Sequence, residues 1–186
     1  MVFRTRTSEG NEMVIVKLRE CPTDSDWKEV YARALVTVGK KPNKEPTKTW
    51  KKKILKARHS PIRRLHFSFE LVNIPYYVSV HLARHIHAQP YIMSQRNDRQ
   101  DKYDRNAAPQ NAPVNMIWDM NAEEMLTIFN KRLCNLCDPT TKRVVELMRE
   151  CVIQHDDIYT DFAVPNCQYL GKCNEMFPCK KGEPHE

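Results

Sequence analysis

Glycine is scarce in this chain, with four residues in 186. Neither Gly-rich phosphate cradle is present: the sequence has no G-x-G-x-x-G and no G-x-x-x-x-G-K-S/T. A nucleotide held by a Gly-rich turn is thereby excluded. No apolar run reaches the roughly 20 residues of a membrane-spanning helix, and no N-terminal stretch has the pattern of a secretory leader. The expectation is a cytoplasmic protein without a membrane partner. There is no helix-turn-helix, RNA-recognition or zinc-finger pattern, so nucleic acid is not an expected partner, although the +7 charge and the basic Lys40 to Lys56 region keep a nucleic-acid-binding module as a third reading.

What is present is an ordinary globular composition, 41% hydrophobic and 28% charged. One domain over residues 1–186 is expected, long enough to bury a sizeable core. The formal charge of +7 suits anionic partners such as nucleotides, nucleic acid or acidic lipid. The Lys51-Lys52-Lys53 run reads as a solvated helix face. Seven cysteines without a secretory leader point to reduced thiols or a metal, not to a disulfide framework.

The periodicity predicts alternating strands and amphipathic helices. Residues 1–12 read as a frayed polar end and Met13 to Leu18 as a strand. Thr23 to Asp26 is a helix start, followed by Trp27, Val30, Tyr31, Ala34, Leu35 and Val38 on one face. Gly39 ends that helix. A second helix runs from Thr47 to Ala57. Leu65 to Val72 is a half-buried strand. Asn73 is read as a cap and Pro75 as the first turn of a helix ending at His85. Gln89-Pro90-Tyr91 reads as a turn and 101–114 as a long loop bordering a site. Met116 to Trp118 is a short strand or apolar plug. Asn121 caps a helix carrying Met125 to Leu136, with Glu at the capping-box position. Asp138-Pro139 opens a last helix through Val152. Arg132 lies on an apolar helix face, where its charge must find an anion.

The chemistry concentrates between His59 and Arg99. Arg84-His85-Ile86-His87 ends a helix, and Ser94-Gln95-Arg96 follows. This run resembles the motif of flavin-dependent thymidylate synthases: Arg-His-Arg, two residues, Ser, one, Asn-Glu, one, Ser, one, Arg. The spacing from Arg84 to Arg96 is kept without a gap. Arg84, His85, Ser94 and Arg96 match. Ile86 replaces the third motif residue, Gln89 the first Ser, and Tyr91-Ile92 the Asn-Glu pair. The upstream HSPIRRLHFSF resembles that family's Ser/Thr-Pro-x-Glu-His segment, with Arg63-Arg64 in place of Glu-His. Arg132-Leu133 is similar to the family's Leu-Arg stretch with the order reversed.

The resemblance implies an α+β fold, with a central mixed or antiparallel sheet and packed amphipathic helices, in a divergent member of the family. It implies FAD as cofactor, NADPH and methylenetetrahydrofolate as co-substrates, and reductive methylation of dUMP to dTMP in a homotetramer. Ser94, Gln95, Arg96 and Arg132 would hold the nucleotide. His59, Arg84, His85, Ile86 and His87 would border the flavin. The chemistry is borne by the cofactor, and no catalytic side chain is assigned. The alternative is a relative that binds or modifies another pyrimidine nucleotide without making dTMP.

A Cys-containing tail, 160–186, completes the chain. Cys134-x-x-Cys137 with Cys167, Cys173 and Cys179 could bind zinc or remain free thiols. His81 and His85 lie four residues apart, but the motif is not H-E-x-x-H.

Overall fold

The computed structural model describes residues 2–6, 13–99 and 104–179. Of the predicted loop, 101–103 lie outside the described residues, as do 7–12 of the N-terminal stretch and 180–186 of the tail. Five strands form one sheet in the order β1-β2-β3-β5-β4. They are β1 (Val2–Arg6), β2 (Met13–Glu20), β3 (His66–Pro75), β4 (Gln89–Ile92) and β5 (Pro113–Asn121). Every pairing is antiparallel, which resolves the expected mixed or antiparallel sheet. Among the described residues there are six α-helices: α1 (Asp24–Val36), α2 (Lys48–Lys56), α3 (Tyr76–Ala83), α4 (Ala122–Arg132), α5 (Pro139–His155) and the short α6 (Asn166–Leu170).

Directly paired residues share one face of an antiparallel sheet. Val16, Leu71 and Met116 form one such row, and Leu18, Phe69 and Trp118 the next. These residues and Phe67, packed edge-on against Tyr159, form the floor of the core. On the opposite face Lys17 pairs with Glu70 at 3.3 Å, so polar side chains alternate with apolar ones as a one-sided sheet requires. Val144, Val145, Met148 and Val152 of α5 join the core, as do Trp27 and Val30 of α1.

The helix starts follow from their caps. Thr23 and Asp26 form a reciprocal capping box on α1. Thr47 caps α2, and Asp138 caps α5 with Pro139 at its first position. The predicted first helix ends earlier than its apolar pattern. It stops at Val36, Val38 is solvent-exposed, and Gly39 sits at φ 69°. Likewise α4 ends at Arg132, leaving Leu136 exposed.

Three readings are corrected. The N-terminal stretch contains β1, whose Phe3 lies opposite Val16 and packs on the core. Gln89 to Ile92 is an edge strand, with Pro90 tolerated because β4 pairs on one side only. Asn73 is not a cap. It lies inside β3 at φ 57°, where the register steps from Leu71–Met116 to Ile74–Val114. The extra residue makes a bulge, and the Asn115 side chain accepts the Asn73 N–H at 3.0 Å. Asn is among the few residues that adopt this left-handed conformation readily. Asn73→Val is therefore expected to lower stability by about 1–2 kcal/mol, whereas Asn73→Gly leaves it nearly unchanged. Urea denaturation midpoints of the two variants test this ordering.

Candidate functional site

The end of α3 and the whole of α4 build the site. Pro75 precedes the helix and Arg84 is its C-cap, so His85 leaves the last turn in irregular backbone. α4 starts where β5 ends, and Asn121 Oδ1 accepts the Glu124 N–H at 3.0 Å. Glu123 and Glu124 sit near the positive end of the helix dipole, and Lys131 and Arg132 near the negative end.

Arg132 and Glu124 reach the His85 ring from opposite ends of α4. Arg132 Nε donates to His85 Nε2 at 3.0 Å. His85 Nδ1 lies 3.4 Å from Glu124 Oε1, and both side chains are about nine-tenths buried. A guanidinium only donates, so Nε2 must be the acceptor and the ring proton sits on Nδ1. Burial, reinforced by the Arg132 charge, holds the His85 pKa down to about 4. Burial also raises the Glu124 carboxyl above its usual range, with the His87 charge opposing. The Trp118 ring meets the imidazole edge-on at 6.2 Å.

Arg132 is the unusual member. Its Nη2 donates to the His81 carbonyl at 2.7 Å, and the Cys137 thiol lies beside the guanidinium. Its partners are thus a neutral ring, a carbonyl and a thiol. Among the described residues no carboxylate pairs with it. The anion that its position calls for is not supplied by a carboxylate of the described chain.

Next to this cluster lies a cleft of about 460 Å³ lined by Arg63, His87, Asn121, Glu123, Glu124 and Thr127. The volume is in the usual range for a small-molecule site. Arg63 is paired with Glu123. Sequence reasoning missed Glu124 because its position satisfied a capping box. Its carboxylate turns to His85 instead, a contact between positions 39 apart that no local pattern reports.

The other predicted residues divide. Arg84 and His87 are exposed at the end of α3, and Arg84 makes no ion pair among the described residues. Ile86 is 83% exposed and Tyr91 57% exposed. His59 is exposed where the 3-10 turn Ser60–Arg64 begins. Ser94 Oγ accepts the Arg96 N–H at 3.2 Å, and Gln95 between them is half-buried. Arg96 grips Asp98 through two bonds of 2.9 and 2.7 Å, so a phosphate at Arg96 competes with an internal carboxylate. His81 is directed to Thr141 Oγ1 at 2.9 Å and His85 to α4, so the two do not form a metal pair.

The cysteines are not gathered as a metal centre. Cys134, Cys167, Cys173 and Cys179 line one cleft of about 520 Å³, while Cys137 lies against Arg132. All are half-buried free thiols. Among the described residues no three Cys, His, Asp or Glu side chains are grouped to hold a metal. His155, at the end of α5, faces Cys21 at 3.5 Å and the Pro22 carbonyl at 3.2 Å.

The His85 shift makes stability depend on pH. Its folded pKa is near 4 against 6.5 for the free side chain, so the unfolded chain binds the extra proton between those values. Stability on this account rises with pH across that window and is lost as pH falls through it, by on the order of 3 kcal/mol. The raised carboxyl of Glu124 acts in the opposite sense. A His85→Gln variant, which keeps an acceptor for Arg132, is expected to show less acid destabilisation than the parent when the two are unfolded in urea at matched pH.

No protein-family model matches the sequence, and no curated protein matches it. Solved structures do. Flavin-dependent thymidylate synthase from Helicobacter pylori, complexed with FAD and dUMP, superposes with a TM-score of 0.65 at 13% identity, over 79% of this chain and 98% of that one. A second Helicobacter pylori structure, also with FAD and dUMP, gives 0.62 at 12% identity over 77% and 97% of the two chains. The UMP/dUMP methylase PolB from Streptomyces cacaoi, bound with 5-Br dUMP, gives 0.63 at 14% identity over 81% and 97%. The chain thus has the fold of the flavin-dependent thymidylate synthases and carries it over nearly the full length of those proteins.

Proposed function

We propose that this chain is a divergent flavin-dependent thymidylate synthase-like enzyme that methylates a pyrimidine nucleotide reductively. The reaction is dUMP to dTMP, with methylenetetrahydrofolate as carbon donor and NADPH as reductant of the flavin. The observation that carries the reading is Arg132: a half-buried guanidinium with neutral partners, in a pair that resembles in reversed order the family's Leu-Arg stretch at the nucleotide. A planar guanidinium suits the bidentate binding of phosphate or of a pyrimidine edge. The neutral His85 ring orients it without competing for its charge. Ser94, the Gln95 backbone and Arg96 complete the nucleotide side.

The donor set also suits a flavin dinucleotide. Arg84 and His87 are exposed and within four residues of one another, and no acid among the described residues pairs with Arg84. They would hold the diphosphate, with His59 and Ile86 at the border. The hydride chemistry belongs to the flavin when it is bound. Ile86 and Tyr91 leave apolar surface in water. In a homotetramer with sites shared between subunits, a second copy would cover it. No described helix is long and apolar enough to cross a membrane.

The substitutions favour one second reading. Ile86 and Tyr91 stand where the family has Arg and Asn, so the flavin side is remodelled while the nucleotide side is kept. A relative that acts on another pyrimidine nucleotide, or only binds one, fits that division. Titration of the purified protein with FAD, followed by absorbance near ~450 nm, separates the two. A flavin band perturbed by dUMP is the expected result. A colourless protein that binds dUMP selects the second reading. Arg132→Ala is expected to weaken dUMP binding about 30-fold, the equivalent of roughly 2 kcal/mol for hydrogen bonds to a charge. Arg132→Lys should not restore it. Unchanged affinity in both variants would remove Arg132 from the site.

A further inference from the structure

The formal charge of the chain is concentrated in one stretch. Residues 40–56 contain eight lysines and one glutamate, a net charge equal to the +7 of the entire protein. The rest of the molecule is balanced. Glu45, the single acid of the stretch, is taken by Lys28 from outside it at 3.0 Å. Three of the lysines meet acids elsewhere: Lys48 with Asp157, Lys51 with Asp24 and Lys52 with Asp161. Lys40, Lys41, Lys44, Lys53 and Lys56 are exposed and make no ion pair among the described residues.

The shape adds to the charge. Beside α2 runs a groove of about 610 Å³ whose walls include Lys48, Lys52, Lys53, Lys56, a single acid, Asp161, and the Tyr169 ring. Tyr169 is fixed there by its hydroxyl, which donates to the Lys56 carbonyl at 2.7 Å, and by the Arg58 guanidinium 5.0 Å from its ring centre. A cationic groove with a held aromatic ring is the arrangement that tracks a single polynucleotide strand. A bilayer surface would need an apolar helix face to insert. Here Ile54 and Leu55 are buried in the core, and Trp50 packs edge-on against Tyr31 at 4.9 Å.

We propose that the Lys40–Lys56 segment and the groove beside α2 form a docking surface for the phosphodiester backbone of single-stranded nucleic acid. The surface is separate from the nucleotide site and does not depend on the function proposed there. Its lysines act as point charges on successive phosphates, and Tyr169 offers a ring for one base. Recognition is through the backbone, so base sequence has little influence.

Fluorescence anisotropy with labelled 20-mers of DNA and of RNA, at rising salt, tests this on the full-length protein. With about four phosphates neutralised on a single strand, affinity is expected to fall about 50-fold between roughly 50 and 200 mM salt. Replacing Lys40, Lys41, Lys44, Lys53 and Lys56 by Gln should abolish binding at low salt while leaving the thermal midpoint and dUMP binding unchanged. The milder pair Lys53→Gln and Lys56→Gln should weaken binding and flatten the salt slope by about 1.4. Binding of the DNA and RNA 20-mers alike identifies the shared backbone as ligand. Preference for one assigns the source and leaves the surface in place. No binding of either 20-mer, binding undiminished in both variants, or binding to phosphatidylserine vesicles in place of the 20-mers would overturn the proposal.

Discussion

The pairing of β3 with β5 is the constraint on which the molecule rests. It is the central ladder of the sheet, and it carries the residues that line the core floor: Phe67 opposite Met120, Phe69 opposite Trp118 and Leu71 opposite Met116. It also fixes where two helices begin. α3 leaves the Pro75 end of β3, and α4 leaves the Asn121 end of β5. Backbone bonds extend the ladder past both strands, with Tyr76 N–H donating to the Ala112 carbonyl and Ala122 N–H to that of Leu65. Once the register is set, the return of α3 toward α4 is determined, and with it the meeting of His85 and Arg132.

That meeting has its own logic. A guanidinium placed against a carboxylate would be neutralised and unavailable. Against a neutral imidazole it is oriented while its charge remains uncompensated. The imidazole is kept neutral by the burial that surrounds it and by the same Arg132 charge. Each group therefore maintains the state that the other requires. Burial acts on Glu124 as well, raising its carboxyl above the usual range.

Much of this was legible before the structure, and the reasons are local. Thr23, Thr47, Asn121 and Asp138 each announced a helix, since a cap is a contact among neighbours in sequence. The family motif points to His85, which the structure sets against Arg132. What escaped depends on distant partners. β1 has only five residues and a single neighbour, so its strand character comes from β2. Gln89-Pro90-Tyr91 reads as a turn because Pro90 is a poor strand residue, yet the edge position of β4 accommodates it. The lysines of α2 looked like an ordinary solvated face. Only the packing of α2 beside Tyr169 and Phe162 gave them a groove. Arg96 reads as a nucleotide contact from the motif alone, which carries no sign of the two-bond grip of Asp98 two residues on.

The bulge at Asn73 bears on how such a protein can diverge. Three residues of β3, from Leu71 to Ile74, span what two residues of β5 span. Loss of one residue there would restore a regular ladder with Leu71 and Ile74 still facing the core. The sheet would survive the deletion with its inside and outside unchanged. The direction in which β3 delivers α3 would not, because a bulge bends the strand that carries it. Sheet integrity and site geometry are thus separable at this one position. A homologue could lose the alignment of His85 with Arg132 by a single deletion more than ten residues away and still fold to the same architecture.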